Sequence, residues 1–261
     1  MIVLPWNHLN RRKPLLNQPV RLTIGVFDGV HVGHRKLIDA IVTGAGDVLP
    51  LVITFRQTPS LLLAPSAFPG FLLTYGQKLS RLEALGVGAV VAIDFSEELS
   101  NLSGKDFIKL LTENLTIQKI VVGKNFRFGK NRISGTDDLK EMLSGTGIEL
   151  QVTEPVIRGD AMVSSSRIRS AIREAKFTEA RGMLAADYSL DLRGLASRSD
   201  SPTSLRIARN EVTQVLPQQG DYDVSCASPA GTRPGRLTIG NDYLTLGAEG
   251  CVDITMVDFT E

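Results

Sequence analysis

Residues 25–34 read G-V-F-D-G-V-H-V-G-H, and the types and spacing of these residues suit a phosphate-binding turn. Glycines such as Gly25 and Gly33 allow tight bends and let the backbone approach a ligand closely. His31 and His34 stand three residues apart, so both imidazoles can face one bound group. Donors in such a place can stabilise the negative charge of a bound phosphate. A histidine at a helix start could instead serve only as a cap.

The segments on either side explain how these groups would be positioned. Residues 20–24 form an apolar, β-rich run, and residues 35–42 place apolar side chains at helical spacing. This order predicts a strand, a glycine-rich turn and a helix. The N–H groups and the positive dipole end of that helix would favour an anion over the turn.

Strand-like and helical patterns alternate from residue 20 to about residue 184. Several of the strand-like runs are continuously apolar, which is typical of strands covered on both faces. The predicted strands are 20–26, 49–55, 88–94, 119–122 and 147–152. The predicted helices are 33–44, 76–86, 103–114, 136–145, 166–175 and 178–184. We therefore expect an α/β fold with a doubly wound parallel sheet and a ligand crevice at the carboxyl ends of its strands.

The pattern changes after residue 188. Residues 193–203 are polar and turn-forming, and short β-like segments separated by turn signals follow. The predicted strands of this part are 211–216, 221–226, 236–239, 243–246 and 252–257. Their spacing predicts a smaller C-terminal domain that resembles an antiparallel β-barrel. We place the two domains at residues 1–186 and 187–261.

Composition excludes several classes of function. The chain has 261 residues, 43% of them hydrophobic, and a net charge of +1, so nothing attracts it generally to nucleic acid or to an anionic membrane. No apolar stretch has the length of a membrane span, and the N-terminus is too short for a signal peptide, so we expect a cytoplasmic protein. Cys226 and Cys251 lie far apart in the chain and are expected to be reduced thiols.

The complete decapeptide resembles the G-V-F-D-G-V-H-x-G-H signature of the bacterial riboflavin kinase/FAD synthetase family, in its FMN adenylyltransferase module. Residues 120–129, I-V-V-G-K-N-F-R-F-G, are similar to the family's V-V-G-x-[DN]-F-x-F-G segment. Residues 163–169, V-S-S-S-R-I-R, are similar to its V-S-S-T-x-I-R segment. The resemblance is good from about residue 20 to residue 190, and it is thin beyond that point.

The resemblance implies a nucleotidyltransferase that moves AMP from ATP to FMN and releases FAD and pyrophosphate. His31 and His34 would be the catalytic donors, and Mg²⁺ would be held by the substrate phosphates and water, with no protein ligand to the metal. The ATP-binding residues would be Gly25, Phe27, Asp28, Gly33, Gly123, Ser165, Ser166 and Arg169. The flavin-binding residues would be Asn125, Phe126 and Phe128. No nucleic-acid or membrane partner is implied, and the sequence predicts no particular oligomeric state.

Both downstream segments also have a purely structural interpretation. Serines such as those at 164–166 are common helix caps. Two phenylalanines two positions apart, as in residues 125–129, usually mark one buried face of a strand or loop. The residue types alone therefore leave the role of these segments open.

Three departures from the family pattern affect the expected function. Residues 55–59 read F-R-Q-T-P where the family usually reads F-D-P-H-P, and Met162 stands where many members carry a basic residue. The kinase motif G-F-P-T-A-N is replaced by L-R-I-A-R-N at residues 205–210, and Asp253 would take the place of the catalytic glutamate. The chain also stops before the family's terminal helix.

These departures lead us to expect an FMN adenylyltransferase whose riboflavin kinase half is degenerate. Three alternatives stay open at this point. The chain could be a bifunctional riboflavin kinase/FAD synthetase, or a related transferase that acts on another phosphate such as nicotinamide mononucleotide, phosphopantetheine or glycerol phosphate. It could also be a flavin or nucleotide sensor that binds without turnover.

Overall fold

A computed structural model describes most of the chain: residues 1–11, 16–57, 61, 68–94, 97–201, 203–248 and 254–259. The chain divides into two compact units, Met1–Phe68 with Leu79–Ile157 and Pro69–Lys78 with Arg158–Glu261. This division by contacts places residues 158–186 in the second unit. The division into functional domains at residues 1–186 and 187–261 is a different boundary, and it stays a prediction.

The first unit contains a six-stranded sheet in which every pair of neighbouring strands is parallel. Its strands are β1 (Ile2–Pro5), β2 (Val20–Ile24), β3 (Leu49–Phe55), β4 (Ala89–Ile93), β5 (Ile117–Gly123) and β6 (Glu149–Thr153). Their order across the sheet is β1-β4-β3-β2-β5-β6. The chain progresses in one direction from β2 to β4 and in the other from β5 to β6, so the switch point lies between β2 and β5. The predicted doubly wound parallel sheet is confirmed.

Burial explains why these strands have continuously apolar sequences. All five residues of β4 are buried, as are the central residues of β3 and β5. One core cluster in this unit combines strand residues such as Leu22 and Ile120 with Phe107 and Leu111 from a covering helix. Each strand therefore contributes side chains to packed layers rather than to solvent.

The helices are α1 (Val32–Val42), α2 (Tyr75–Ala84), α3 (Glu97–Asn101), α4 (Gly104–Asn114), α5 (Thr136–Met142), α6 (Ser165–Arg173) and α7 (Phe177–Leu184). Six of them were predicted, with ends that differ by three residues or fewer. The sequence missed α3 and also β1, because both are short and β1 lies at the edge of the sheet. Among the described residues, no helix is both long and apolar enough to cross a membrane.

The second unit contains a seven-stranded antiparallel sheet, which confirms the predicted β-rich architecture after residue 188. A further pair of short strands, β7 (Ile157–Arg158) and β8 (Ala161–Met162), precedes it. The strands of the large sheet are β9 (Ser189–Asp191), β10 (Ser197–Ser201), β11 (Ser204–Ala208), β12 (Gly220–Ser228), β13 (Gly231–Ile239), β14 (Tyr243–Gly247) and β15 (Met256–Phe259). Their order is β10-β11-β14-β13-β12-β15-β9.

The strand predicted at residues 211–216 is wrong. Residues 209–211 form a short 3-10 helix, and Gln214 makes an isolated bridge to Phe71. The Gln214 amide, 5% exposed, donates to the carbonyl of Ser189 at 2.9 Å and accepts from the backbone N–H of Asp191 at 2.8 Å. A side chain therefore satisfies the backbone groups that a strand would have paired.

The turn-forming segment predicted at residues 193–203 is also partly wrong, because β10 lies within it as the edge strand of the sheet. An edge strand needs no apolar alternation, which explains why its polar sequence gave no strand signal. Cys226 is buried and takes part in no disulfide within the described part of the chain. Cys251, Asp253 and residues 58–59 lie outside the described residues.

We predict that Gly129→Ala destabilises the first unit by about 2 kcal/mol or more. Gly129 has a φ of 72°, and an added Cβ would lie 2.5 Å from the backbone nitrogen of Gly104. The measurement is urea unfolding followed by the fluorescence of Trp6, which stacks on Phe107 in the same unit. Gly123→Ala is the control, because its Cβ would meet nothing within 4 Å. Equal unfolding midpoints for the two variants would contradict this prediction.

Candidate functional site

The backbone between β2 and α1 is strained. Phe27 and Val30 have φ values of 53° and 42°, and Gly29 has a φ of 90°. Positive φ is unusual for a non-glycine residue and is a genuine outlier for a β-branched one. The Phe27 and Val30 side chains are both 0% exposed, so their burial holds the turn in this conformation. Strain of this kind persists where the surrounding structure imposes it, and it concentrates at functional sites.

The two histidines of the motif lie against each other. Their rings stack with centroids 3.6 Å apart and an interplanar angle of 13°. His31 is the N-cap of α1, and its Nδ1 atom accepts a hydrogen bond from the backbone N–H of His34 at 3.3 Å. The alternative role of a cap is therefore real, but it uses only one ring nitrogen. Because Nδ1 accepts, the ring proton of neutral His31 lies on Nε2, which stays a donor.

Burial sets the charge of His31. The side chain is 6% exposed, and desolvation lowers its pKa from 6.5 to about 4. At neutral pH the imidazole is therefore uncharged. It can donate through Nε2 to a phosphate oxygen without first gaining or losing a proton.

The glycines and apolar residues of the motif shape the space around the histidines. A Cβ on Gly33 would lie 3.1 Å from Cε1 of His31, and one on Gly25 would lie 3.1 Å from the ring of Phe27. Phe27 is 0% exposed, and its ring centroid lies 5.0 Å from that of His34. Asp28 is also buried. The ATP contacts expected of these residues stay predictions.

The end of β5 lies beside that of β2 in the sheet. A Cβ on Gly123 would meet no atom within 4 Å, and its φ does not require glycine, so the fold itself gives no reason for this residue. Asn125 is exposed and Phe126 is half-buried. Phe128 is 7% exposed and belongs to the core, where its ring lies 5.2 Å from that of Phe126. Flavin binding by these three residues stays a prediction.

Sequence reasoning missed two cations at the ends of the strands. Lys36 of α1 donates to the backbone carbonyl of Glu154 at 3.0 Å, and the ammonium of Lys124 lies 2.9 Å from the Glu154 carboxylate. Both bonds join segments distant in the chain, so no local pattern could have revealed them. The two lysines place positive charge near the carboxyl ends of β5 and β6.

The serine and arginine segment lies in the second unit. Ser164 is the N-cap of α6 and accepts from the backbone N–H of Arg167 at 3.3 Å. Ser165 and Ser166 therefore occupy the first turn of the helix, and neither is the cap. The guanidinium of Arg169 donates to the backbone carbonyl of Gly70 at 2.8 Å. The phosphate-binding roles expected of Ser165, Ser166 and Arg169 stay predictions.

We predict that His31 stays neutral from pH 8 down to about pH 5. The measurement is the pH dependence of its ring proton shifts in NMR. The variant His31→Gln identifies which signals belong to this ring. The folded pKa is lowered, so between pH 6.5 and about 4 the unfolded chain binds a proton that the folded chain does not. Stability should accordingly fall as the pH falls through that window. A titration midpoint near 6.5 for this ring would contradict the prediction.

Comparison with solved structures shows the fold. The chain superimposes on a Streptococcus pneumoniae protein described as a macrolide-efflux protein with a TM-score of 0.85, over 99% of this chain and 90% of that one. The two sequences are 20% identical, so the likeness concerns architecture alone.

Curated relatives share more of the sequence. A bifunctional riboflavin kinase/FMN adenylyltransferase of Buchnera aphidicola subsp. Schizaphis graminum is 30% identical over 67% of this chain, and the match spans 57% of that protein's length. Proteins with the same name from Escherichia coli K12 and Bacillus subtilis 168 are 29% and 27% identical over 91% and 92% of this chain, and each match spans 78% of the relative.

A family model provides the assignment. The model described as FAD synthetase matches residues 13–167, which include both histidines and most of the described first unit. The match extends over more than half of the 261 residues. The chain therefore belongs to the FAD synthetase family, whose FMN adenylyltransferases are nucleotidyltransferases, as the motif resemblance predicted.

Proposed function

We propose that the protein is an FMN adenylyltransferase, which transfers AMP from ATP to FMN and releases FAD and pyrophosphate. One observation carries the proposal. A strained turn with two stacked histidines, His31 and His34, follows the strand at the switch point of a parallel sheet, in a chain of the FAD synthetase family. In open α/β sheets this is the place where ligands bind.

The proposed reaction is a single in-line displacement. An oxygen of the FMN phosphate attacks the α-phosphorus of ATP, a new P–O bond forms, and the bond to the β-phosphate oxygen breaks and leaves pyrophosphate. The protein has little covalent work to do, so alignment and stabilisation of charge dominate. Neutral His31 donates from Nε2, and His34 provides the second imidazole of the pair.

The other predicted contacts extend the site. The open space around Gly123 supports close approach of a ligand to the end of β5, with Asn125, Phe126 and Phe128 on the flavin side. Gly25, Phe27, Asp28 and Gly33 would bind ATP through the turn. Ser165, Ser166 and Arg169 would hold the departing pyrophosphate.

Magnesium enters this proposal with the substrate. Within the described ranges, the protein has no group of three or more metal-ligating side chains that could hold a metal ion. We expect phosphate oxygens and water to hold the ion, as is usual for Mg²⁺. When bound, the ion would neutralise charge on the phosphates. We also expect the enzyme to act in the cytoplasm, as the sequence predicts.

We further propose that the riboflavin kinase activity is lost. Residues 205–207 of β11 pair on one side with β10 and on the other with β14, and Ala208 pairs with β14. Their backbone groups therefore belong to a regular ladder, whereas a phosphate loop needs N–H groups that point at the ligand. The relatives' names favour a second candidate, an enzyme that keeps both activities.

The purified protein should form FAD and pyrophosphate when incubated with ATP, Mg²⁺ and FMN, as measured by chromatography of the products. Replacing His31 or His34 by Ala should lower turnover on the order of 10²-fold, because a donor to the transition state is lost. Circular dichroism and thermal unfolding would verify that the variants fold. Binding of both substrates without FAD would favour the sensor alternative, and unchanged turnover in both variants would remove the histidines from the mechanism.

The same incubation with riboflavin in place of FMN should yield no FMN. The segment at residues 205–210 lacks the threonine hydroxyl and proline turn of the kinase motif, so a ligand for the metal of the nucleotide is missing. A synthetic FMN standard and an added known riboflavin kinase serve as controls for detection. Phosphorylation of riboflavin at a rate comparable with FAD formation would restore the bifunctional alternative.

A further inference from the structure

Side chains from outside the motif hold the carbonyl oxygens of the strained turn. The Thr54 hydroxyl, buried on β3, donates to the carbonyl of Val26 at 3.0 Å. The Arg81 guanidinium, on α2, donates to the carbonyl of Gly29 at 3.4 Å. The two donors are 28 and 52 positions from their acceptors. They reach the turn only because the fold brings distant segments to it.

A third donor completes the set. Arg35 of α1 donates through Nε to the carbonyl of Val30 at 3.4 Å. Three of the five carbonyls at residues 26–30 are thus directed toward a hydroxyl or a guanidinium. Bonds with a charged donor are stronger than neutral ones, and these guanidiniums also add positive charge beside the turn.

Because the peptide group is planar, holding these carbonyls also fixes the directions of the N–H groups in the same peptides. In a trans peptide the carbonyl of one residue and the N–H of the next point in opposite directions. Fixing the Val26 carbonyl therefore directs the N–H of Phe27 away from Thr54. Fixing the Val30 carbonyl likewise directs the N–H of His31 away from Arg35. Backbone N–H groups with fixed directions can bind an anion. The N–H of Val30 is not one of them, because it closes the turn by donating to the Phe27 carbonyl at 3.3 Å.

The turn needs such support because its backbone is unfavourable. Phe27 and Val30 adopt positive φ, and each such residue costs on the order of 1–3 kcal/mol. Burial of their side chains constrains the side-chain positions, but it does not by itself fix the rotation of the peptides that precede Phe27 and Val30. The bonds from Thr54 and Arg81 do so.

We infer that Thr54 and Arg81 are positioning residues for the bound nucleotide, with Arg35 in the same role. They hold the peptides of the turn, and with them the N–H and the imidazole of His31, in the orientation that would receive the ATP phosphates. They act through the backbone rather than by touching the substrate. The inference rests on the proposed function for the identity of the anion, and it goes beyond it by assigning residues that neither the motif nor its spacing indicates.

The test compares two site variants with two matched controls. Thr54→Val and Arg81→Met remove the donors to the turn. Thr23→Val removes another buried hydroxyl of the same sheet, one that has no hydrogen-bond partner in the described part of the chain. Arg21→Met removes a guanidinium that donates to the carbonyls of residues 43 and 44 at the opposite end of α1, at 3.3 and 2.8 Å.

Calorimetry with MgATP should show a dissociation constant raised about tenfold in each site variant, the loss expected for one such bond, and little change in the controls. In the FAD assay, KM for ATP should rise more than kcat falls, because the turn contacts the nucleotide in both the ground and transition states. Thr54→Ser, which keeps the hydroxyl, should restore binding. A purely structural role would predict neither this split nor the rescue.

ATP affinity equal to that of the wild type in both site variants, or an equal loss in site and control variants, would overturn the inference. If Thr54→Val does not fold, Arg81→Met at its half-buried position decides the result. Binding of ATP is measured without FMN, so a wild-type protein that binds ATP but forms no FAD would refute the proposed function and leave this comparison valid.

Discussion

The site depends on one backbone constraint, which is that the chain must leave β2 and enter α1 through a turn with three positive φ values in four residues. Phe27 and Val30 adopt these angles with fully buried side chains. A short peptide would relax away from such a conformation. The parallel sheet and the helices of the first unit provide the enclosure that prevents this, so the core stabilises the fold and the geometry of the histidines together.

The same enclosure determines the electrostatics of the site. A buried His31 with a pKa of about 4 is neutral, and the hydrogen bond at Nδ1 fixes which nitrogen carries its proton. Stacking 3.6 Å from His34 is compatible with this state, since two charged rings at that distance would repel each other. Charge on bound phosphates would therefore meet the neutral His31 donor, helix N–H groups and nearby guanidiniums.

The sequence predicted most of the fold because its patterns are local. Continuous apolar runs identified β3 and β4, and glycine, histidine and helical spacing identified the turn and α1. It could not predict that Gln214 replaces a strand, because its amide bonds to residues distant in the chain. The sequence could not decide whether Phe128 lies in the core or binds flavin, because both roles require an apolar side chain at this position. Thr54 and Arg81 gave no signal because their acceptors are far away in sequence.

The proposed transfer of the adenylyl group of ATP to FMN can be followed with a radioactive label on one phosphorus of ATP. With ATP labelled at the α-phosphorus, Mg²⁺ and FMN, the label should enter FAD, and unlabelled pyrophosphate should be released. Transfer of label to a flavin from ATP labelled at the γ-phosphorus would contradict the proposed reaction. So would the absence of labelled flavin from either labelled ATP under conditions where ATP and FMN both bind.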